Sequence, residues 1–372
     1  MKGERPTQAR IDLDALAANH AEARRLARGR DVVAVVKADG YGHGAVPVAR
    51  RLVAAGCTRL AVMTVAEAAE LRAAAVETEI LVLGGVHDAA EAADAVAARA
   101  TPVVQHPDHL PLLAEAAGER GARLPVHVEV DTGMRRMGIP PGSAARFLAE
   151  VAGEDRLRLA GVHTHLARAD EADLAPSREQ LARFAAVLEE ARAAGVAPGL
   201  VHVANSAGLL AGDGLEDALP PGVGAVRPGL CLYGVRPAPH LPGTLRPVMT
   251  LHTRVANVRA IRPGEAVGYG ATFRAERPGR IATLPLGYAD GVPWAAGGRG
   301  EALVRGRRVP FAGRVSMDLV TLDCGDLPVE IGDEAVLFGE GLPVEEAAAA
   351  AGTIPYELLV RVGRRVPRVL AE

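Results

Sequence analysis

Through the first two thirds of the chain, short apolar runs alternate with alanine-rich stretches whose apolar positions recur at helical spacing. This is the pattern of repeated β-α units around a parallel sheet. Strands are expected at 31–38, 60–63, 80–84, 101–105, 125–131, 159–166, 200–205 and 225–230. Helices are expected between them, among them 45–55, 66–75 and 180–194, with Ser177 as N-cap of the last. Eight strands is the number that closes a (β/α)8 TIM-like barrel, with an open doubly wound sheet as the rival arrangement. Around 236–247 the texture changes: RPAPHLPGTLRP is dense in proline and suits a linker. Beyond it, short segments near 250–259, 280–286, 302–304 and 335–338 are punctuated by Gly and Pro, the signature of a mainly-β domain. The expected organisation is a barrel over residues 1–236, with roughly the first ten packing with the β domain, and a C-terminal mainly-β domain over 237–372.

Composition narrows the chemistry. The 372 residues carry a formal charge of −3 and no long single-sign block, so no nucleic acid and no membrane surface is expected as a partner. Cys57, Cys231 and Cys324 lie far apart without C-x-x-C spacing, which predicts buried apolar thiols and no metal site. The N-terminal residues lack an apolar signal segment and no uncharged stretch reaches membrane-spanning length, so a reducing cytoplasm is expected.

In a (β/α) barrel the catalytic groups sit at the C-terminal strand ends, and here those ends are polar. The unbroken apolar run Val32 to Val36 delivers Lys37, followed by ADGYGHG; later ends carry Asp131 with Arg136, His163 with His165, Asn205 with Ser206, and Arg227. A lysine in a loop is ordinarily solvated. One placed between a buried strand and a Gly-rich turn is a candidate for chemistry.

The segment AVVKADGYGHG resembles the cofactor-binding signature of bacterial alanine racemases. The resemblance continues in order through DTGMRRMG, GVHTHLARADE, HVANSAG, VRPGLCLYG, GYGATF, LPLGYADG, GRVSMD and TIPYE, covering nearly the whole chain. It implies a barrel plus a β domain, a homodimer whose active sites combine both chains, and pyridoxal 5'-phosphate carried on Lys37. It also implies proton exchange on two faces of an amino acid's α-carbon, by Lys37 on one and by Tyr269 of the partner subunit on the other. A free phenol with a pKa of about 10 is a poor base, so a cationic or hydrogen-bonding neighbour must favour the phenolate, a role that suits His165. By the same resemblance Arg227 faces the pyridine nitrogen. Ser206, Tyr356 and the backbone of Gly229 and Leu230 meet the phosphate, with Tyr41 as a further cofactor contact. Arg136 and the Met317 N–H take the substrate carboxylate, and Tyr288 and Asp318 shape the entrance.

Three positions depart from the family pattern. Glu129 stands where many relatives place a lysine that becomes carbamylated, and its carboxylate is expected to charge-pair Arg136 directly. Trp294 replaces a charge after GYADG, and Ser316 replaces a cysteine. The expected activity is interconversion of L- and D-alanine, supplying D-alanine for peptidoglycan. A racemase of serine or another amino acid, including one serving natural-product synthesis, shares the same machinery and stays open. A related decarboxylase is disfavoured by Arg227, and a single-domain pyridoxal-phosphate carrier by the presence of the β domain.

Overall fold

The computed structural model describes residues 5–121 and 123–371. A first strand, β1 (Gln8–Ile11), leads into the helix Leu13–Leu26, whose start is capped by Asp12 accepting from the Ala15 N–H at 2.7 Å. Eight strands follow: β2 (Asp31–Val35), β3 (Arg59–Val62), β4 (Glu79–Val82), β5 (Thr101–Val104), β6 (Leu124–Glu129), β7 (Leu157–His163), β8 (Leu200–Val203) and β9 (Val223–Val226). They form a closed parallel barrel, completed by β9 pairing with β2, so the open-sheet alternative is ruled out. Ile80, Leu81 and Val82 in succession are fully buried, because barrel interior and helical jacket cover opposite faces of one strand. That is why these strands read as continuous apolar runs.

Connecting helices return the chain to the barrel floor, among them Ala45–Ala54, Val65–Ala73 and Ala175–Ala193. The second starts with a reciprocal box in which Thr64 Oγ accepts from the Glu67 N–H and the Glu67 carboxylate accepts from the Thr64 N–H. The third corrects the expectation for Ser177. Leu174 holds the N-cap position and Pro176 lies in the first turn, so the helix starts earlier than periodicity suggests and Ser177 is buried inside it.

The remaining strands are β10 (Met249–Arg254), β11 (Asn257–Ile261), β12 (Ala266–Val267), β13 (Phe273–Arg274), β14 (Gly279–Leu284), β15 (Glu301–Val304), β16 (Arg307–Pro310), β17 (Val320–Gly325), β18 (Glu334–Phe338) and β19 (Arg368–Leu370). They build a six-stranded sheet in the order β16-β15-β18-β10-β1-β19, a three-stranded sheet β11-β14-β17, and the small hairpin β12-β13. β1 therefore joins the C-terminal sheet, antiparallel to β10 and parallel to β19. The proline-rich segment is irregular but anchored. Asn19 Nδ2 donates to the carbonyls of Leu232 and Arg246 at 3.0 and 2.8 Å, and the Arg246 N–H donates back to Asn19 Oδ1 at 2.9 Å.

Candidate active site

Lys37 leaves the C-terminal end of β2 into an unusual turn. Ala38, Asp39 and Tyr41 hold φ values of 54°, 54° and 53°, with Gly40 at 60°, a left-handed stretch that costs energy at each residue bearing a Cβ. Neighbouring groups hold it in place. Glu67 Oε1 accepts from the Ala38 N–H at 2.6 Å, Asp39 Oδ1 accepts from the Ala45 N–H at 2.7 Å, and the Gly40 N–H donates to Val36 O at 2.9 Å. The same Glu67 carboxylate takes the Met63 N–H at 2.7 Å, locking the loops after β2 and β3 together. Burial, and then the charge of Arg136, push the Lys37 amine below its ordinary range, while Glu67 and Glu129 oppose this. The chain contains only two lysines, Lys2 and Lys37, a simple signal that motif reading passed over.

The buried Arg227 follows the end of β9, the strand paired with β2. Its Nη1 donates to His202 Nδ1 at 2.9 Å and to His202 O at 3.0 Å, and its Nη2 donates to Thr164 O at 2.8 Å. Burial pulls this guanidinium down to about 10, with Glu129 resisting, so it is still cationic at neutral pH. His165 Nδ1 lies 3.5 Å from Arg227 Nη2. Burial, then Arg227 and Arg136, push His165 down to about 3, so it stands neutral and the cationic option for it is set aside.

Glu129, at the end of β6, is buried and takes Gln105 Nε2 at 2.5 Å, with His163 Nε2 3.7 Å from the same oxygen. Burial alone would raise this carboxyl; His163, the Gln105 amide and Arg227 together hold it down at about 2. The expected pairing with Arg136 is not made. Among the described residues no ion pair joins the two, because the Gln105 amide from the neighbouring strand end captures the carboxylate first. Asp131 folds the DTGM segment by accepting the N–H groups of Gly133 and Arg135, and Arg135 lies 4.0 Å from its carboxylate. Among the described residues, Arg136 is the one of the two without an ion pair.

A second cluster gathers after β8 and β9. Asn205, not Ser206, caps the short helix Ser206–Leu210, while the buried Ser206 Oγ accepts from the Gly229 and Cys231 N–H groups at 2.9 and 3.2 Å. Leu230 opens the following turn. Tyr41 stacks on Tyr233 with centroids 4.7 Å apart and lies 6.3 Å from Tyr356, whose hydroxyl is pushed up to about 12, chiefly by burial. A Cβ at Gly229 would fall 2.3 Å from Tyr41 Oη, so only glycine leaves this cradle open. Hydroxyls and backbone donors of this kind fit a phosphate, and a primary amine beside a permanent cation fits a phosphorylated aldehyde such as pyridoxal phosphate.

The residues expected from the C-terminal half face outward. Tyr269 sits at the tip of the β12-β13 hairpin, 71% exposed, and among the described residues it makes no hydrogen bond or ring contact with His165 or Lys37. Met317 is 53% exposed and Tyr288 44%. Asp318 pairs with Arg365 at 2.7 Å, and Trp294 carries the Arg314 guanidinium 5.8 Å above its ring. Cys57, Cys231 and Cys324 are free and buried, and no metal-holding cluster occurs among the described residues.

Sequence reasoning missed the density of neutral imidazole in the interior. His43, His127, His163 and His202 are all buried, and burial is the leading cause lowering each, to about 4 for His43 and about 3 for His127. Unfolding frees them to titrate near 6.5. Their contribution to stability is therefore complete above pH 6.5 and declines as pH falls toward the folded-state values, by about 1.4 kcal/mol per pH unit for each group. Thermal melts should hold steady from pH 8 to 7 and drop steeply between pH 6 and 4.5. A melting temperature flat to pH 4.5 would contradict neutral burial.

Comparison with known proteins agrees with this architecture. The family model "Alanine racemase, N-terminal domain" matches residues 11–237, and "Alanine racemase, C-terminal domain" matches residues 248–370. The alanine racemase of Desulfovibrio desulfuricans is 41% identical, covering 99% of both chains. The crystal structure of alanine racemase from D-cycloserine-producing Streptomyces lavendulae superposes with a TM-score of 0.93 at 37% identity, covering 100% of this chain and 98% of that one. The Bartonella henselae alanine racemase, solved with covalently bound pyridoxal phosphate, gives 0.89 at 30% identity over 99% of this chain and 100% of its own. Fold, family models and full-length relatives converge: this chain belongs to the alanine racemase family.

Proposed function

We propose that the chain interconverts L- and D-alanine by two-base proton transfer, with Lys37 and Tyr269 of the partner subunit acting on opposite faces of the α-carbon. The observation that carries this reading is Lys37 itself, the one lysine besides Lys2, held by a strained turn where burial and Arg136 favour its neutral amine. Pyridoxal phosphate, when bound, supplies an aldehyde carbon for that amine and an electron-accepting ring that acidifies the substrate's α-hydrogen. Ser206, Tyr356 and the backbone of Gly229 and Leu230 hold the phosphate, Tyr41 is a further cofactor contact, and His165 lies beside the ring. Arg227 offers the ring nitrogen a donor that keeps its own proton. Arg136 and the Met317 N–H of the partner orient the substrate carboxylate, with Tyr288 and Asp318 at the entrance. The barrel, 1–236, of one chain and the β domain, 237–372, of the other then form each of the dimer's two sites, and the wide exposure of Tyr269 and Met317 in a single chain supports a homodimer that covers them. A cytoplasmic enzyme supplying D-alanine to peptidoglycan fits the three free thiols.

Incubating the purified protein with pyridoxal phosphate and a panel of L-amino acids, followed by chiral chromatography, tests the substrate. D-alanine should dominate. A larger yield of D-serine, or no D-alanine, would overturn the assignment.

Glu129 supplies a fixed negative charge to the barrel mouth, felt by both Lys37 and Arg227. Glu129→Gln keeps the shape but removes the charge, and kcat/KM for alanine should fall about 10- to 100-fold. Wild-type activity should be the same with and without bicarbonate. Unchanged kinetics in the variant would refute this role.

A further inference from the structure

The barrel interior holds a line of polar groups that connects its floor to Arg227. Glu79 opens β4 at the floor, where Arg59 Nε donates to its Oε2 at 2.9 Å. Its other oxygen, Oε1, lies 3.9 Å from His127 Nε2. His127 Nδ1 lies 2.7 Å from His202 Nε2, and His202 Nδ1 lies 2.9 Å from Arg227 Nη1. We infer that Glu79 is a positioning residue for Arg227, acting across the barrel through a directed pair of neutral imidazoles, His127 and His202.

The direction follows from donor chemistry alone. A guanidinium nitrogen can only donate, so His202 Nδ1 must accept. A neutral His202 then carries its proton on Nε2 and gives that hydrogen bond to His127 Nδ1. His127 in turn carries its proton on Nε2, the atom facing the Glu79 carboxylate. Protonation of either ring would set two donors against each other, and full burial opposes it. The position is also built sterically. A Cβ at Gly161 would lie 2.5 and 2.6 Å from His127 Cε1 and Nδ1, so β7 has no side chain where the imidazole needs room. His163 stacks on His202 at 4.6 Å and fixes its plane.

Each imidazole in such a chain is polarised by the next. At 3.9 Å the Glu79 carboxylate acts on His127 through its field and not through a hydrogen bond, enriching His127 Nδ1 and then His202 Nδ1 and strengthening the bond that aims Arg227. This charge is delivered from behind, in addition to that of Glu129 at the barrel mouth. Glu79 is half-buried, and Arg59 keeps its second partner Asp31, so Glu79→Gln should fold.

The test is long-range 1H–15N NMR of histidine-labelled protein, with and without pyridoxal phosphate. His127 and His202 should both show the Nε2–H tautomer, unchanged from pH 8 to 6. In Glu79→Gln both Nδ1 resonances should move by about 2 ppm or more, and Glu79→Asp should restore them in part. Since the consequence for catalysis rests on the proposed function, kcat is read separately: about a three- to tenfold fall in Glu79→Gln with KM for alanine unchanged. An Nδ1–H tautomer at either ring, or imidazole resonances unmoved by Glu79→Gln, overturns the relay whatever the activity. Unmoved kcat with shifted resonances overturns the positioning role.

Discussion

Lys37→Ala should remove the visible absorption of the bound cofactor and lower racemisation by about 10⁴-fold or more. The magnitude follows from the scarcity of substitutes. A primary amine is required both to carry an aldehyde and to exchange a proton, and Lys2 is the only other lysine. The turn that holds Lys37 also allows little adjustment, because three residues with side chains sit in left-handed geometry under bonds from Glu67, Asp39 and Val36. Borohydride reduction of the loaded wild-type protein should place the label on the peptide containing Lys37. The variant should fold with an unchanged melting temperature to within about 2 °C, since the loss of a half-buried amine leaves the backbone clamps intact. Label recovered on another peptide, or racemisation surviving in Lys37→Ala, would remove the foundation of the proposed chemistry.

Tyr269→Phe is the second large effect, expected to lower kcat about 10³-fold, in the range for removing a positioned acid-base group. The loss should be directional. With the phenol gone, exchange of the α-hydrogen in deuterium oxide should continue on the face served by Lys37 and nearly stop on the other. Because Tyr269 is exposed at a hairpin tip, removing one hydroxyl should not alter folding. Equal impairment of both faces would refute the two-base assignment.

The legible part of this molecule was the part set by local patterning. Barrel strands such as β4 are covered on both faces and read as apolar runs, and Lys37 stands out because it ends one. Elements fixed by distant partners were harder to see. Packing of roughly the first ten residues with the β domain is expected from the sequence, but the four-residue strand β1 is decided by pairing with β10 and β19, more than two hundred residues away. The charge partner of Glu129 reads as Arg136 from the carbamylated lysine that many relatives place at this position, whereas Gln105 on the neighbouring strand end takes the carboxylate. His127 and His202 each sit within an apolar strand, VHV, where a histidine reads as a satisfied core residue. Only closure of the barrel shows that they touch each other and Arg227.

The central claim is that each working site takes Lys37 from one chain and Tyr269 from the other. The direct measurement is to co-express Lys37→Ala and Tyr269→Phe chains under different affinity tags and purify the mixed dimer through both. One of its two sites would then hold an intact lysine and an intact tyrosine, and the account predicts about half the wild-type activity per dimer, although each parent alone is nearly inactive. A mixed dimer no more active than its parents would show that the two residues do not meet across the subunits.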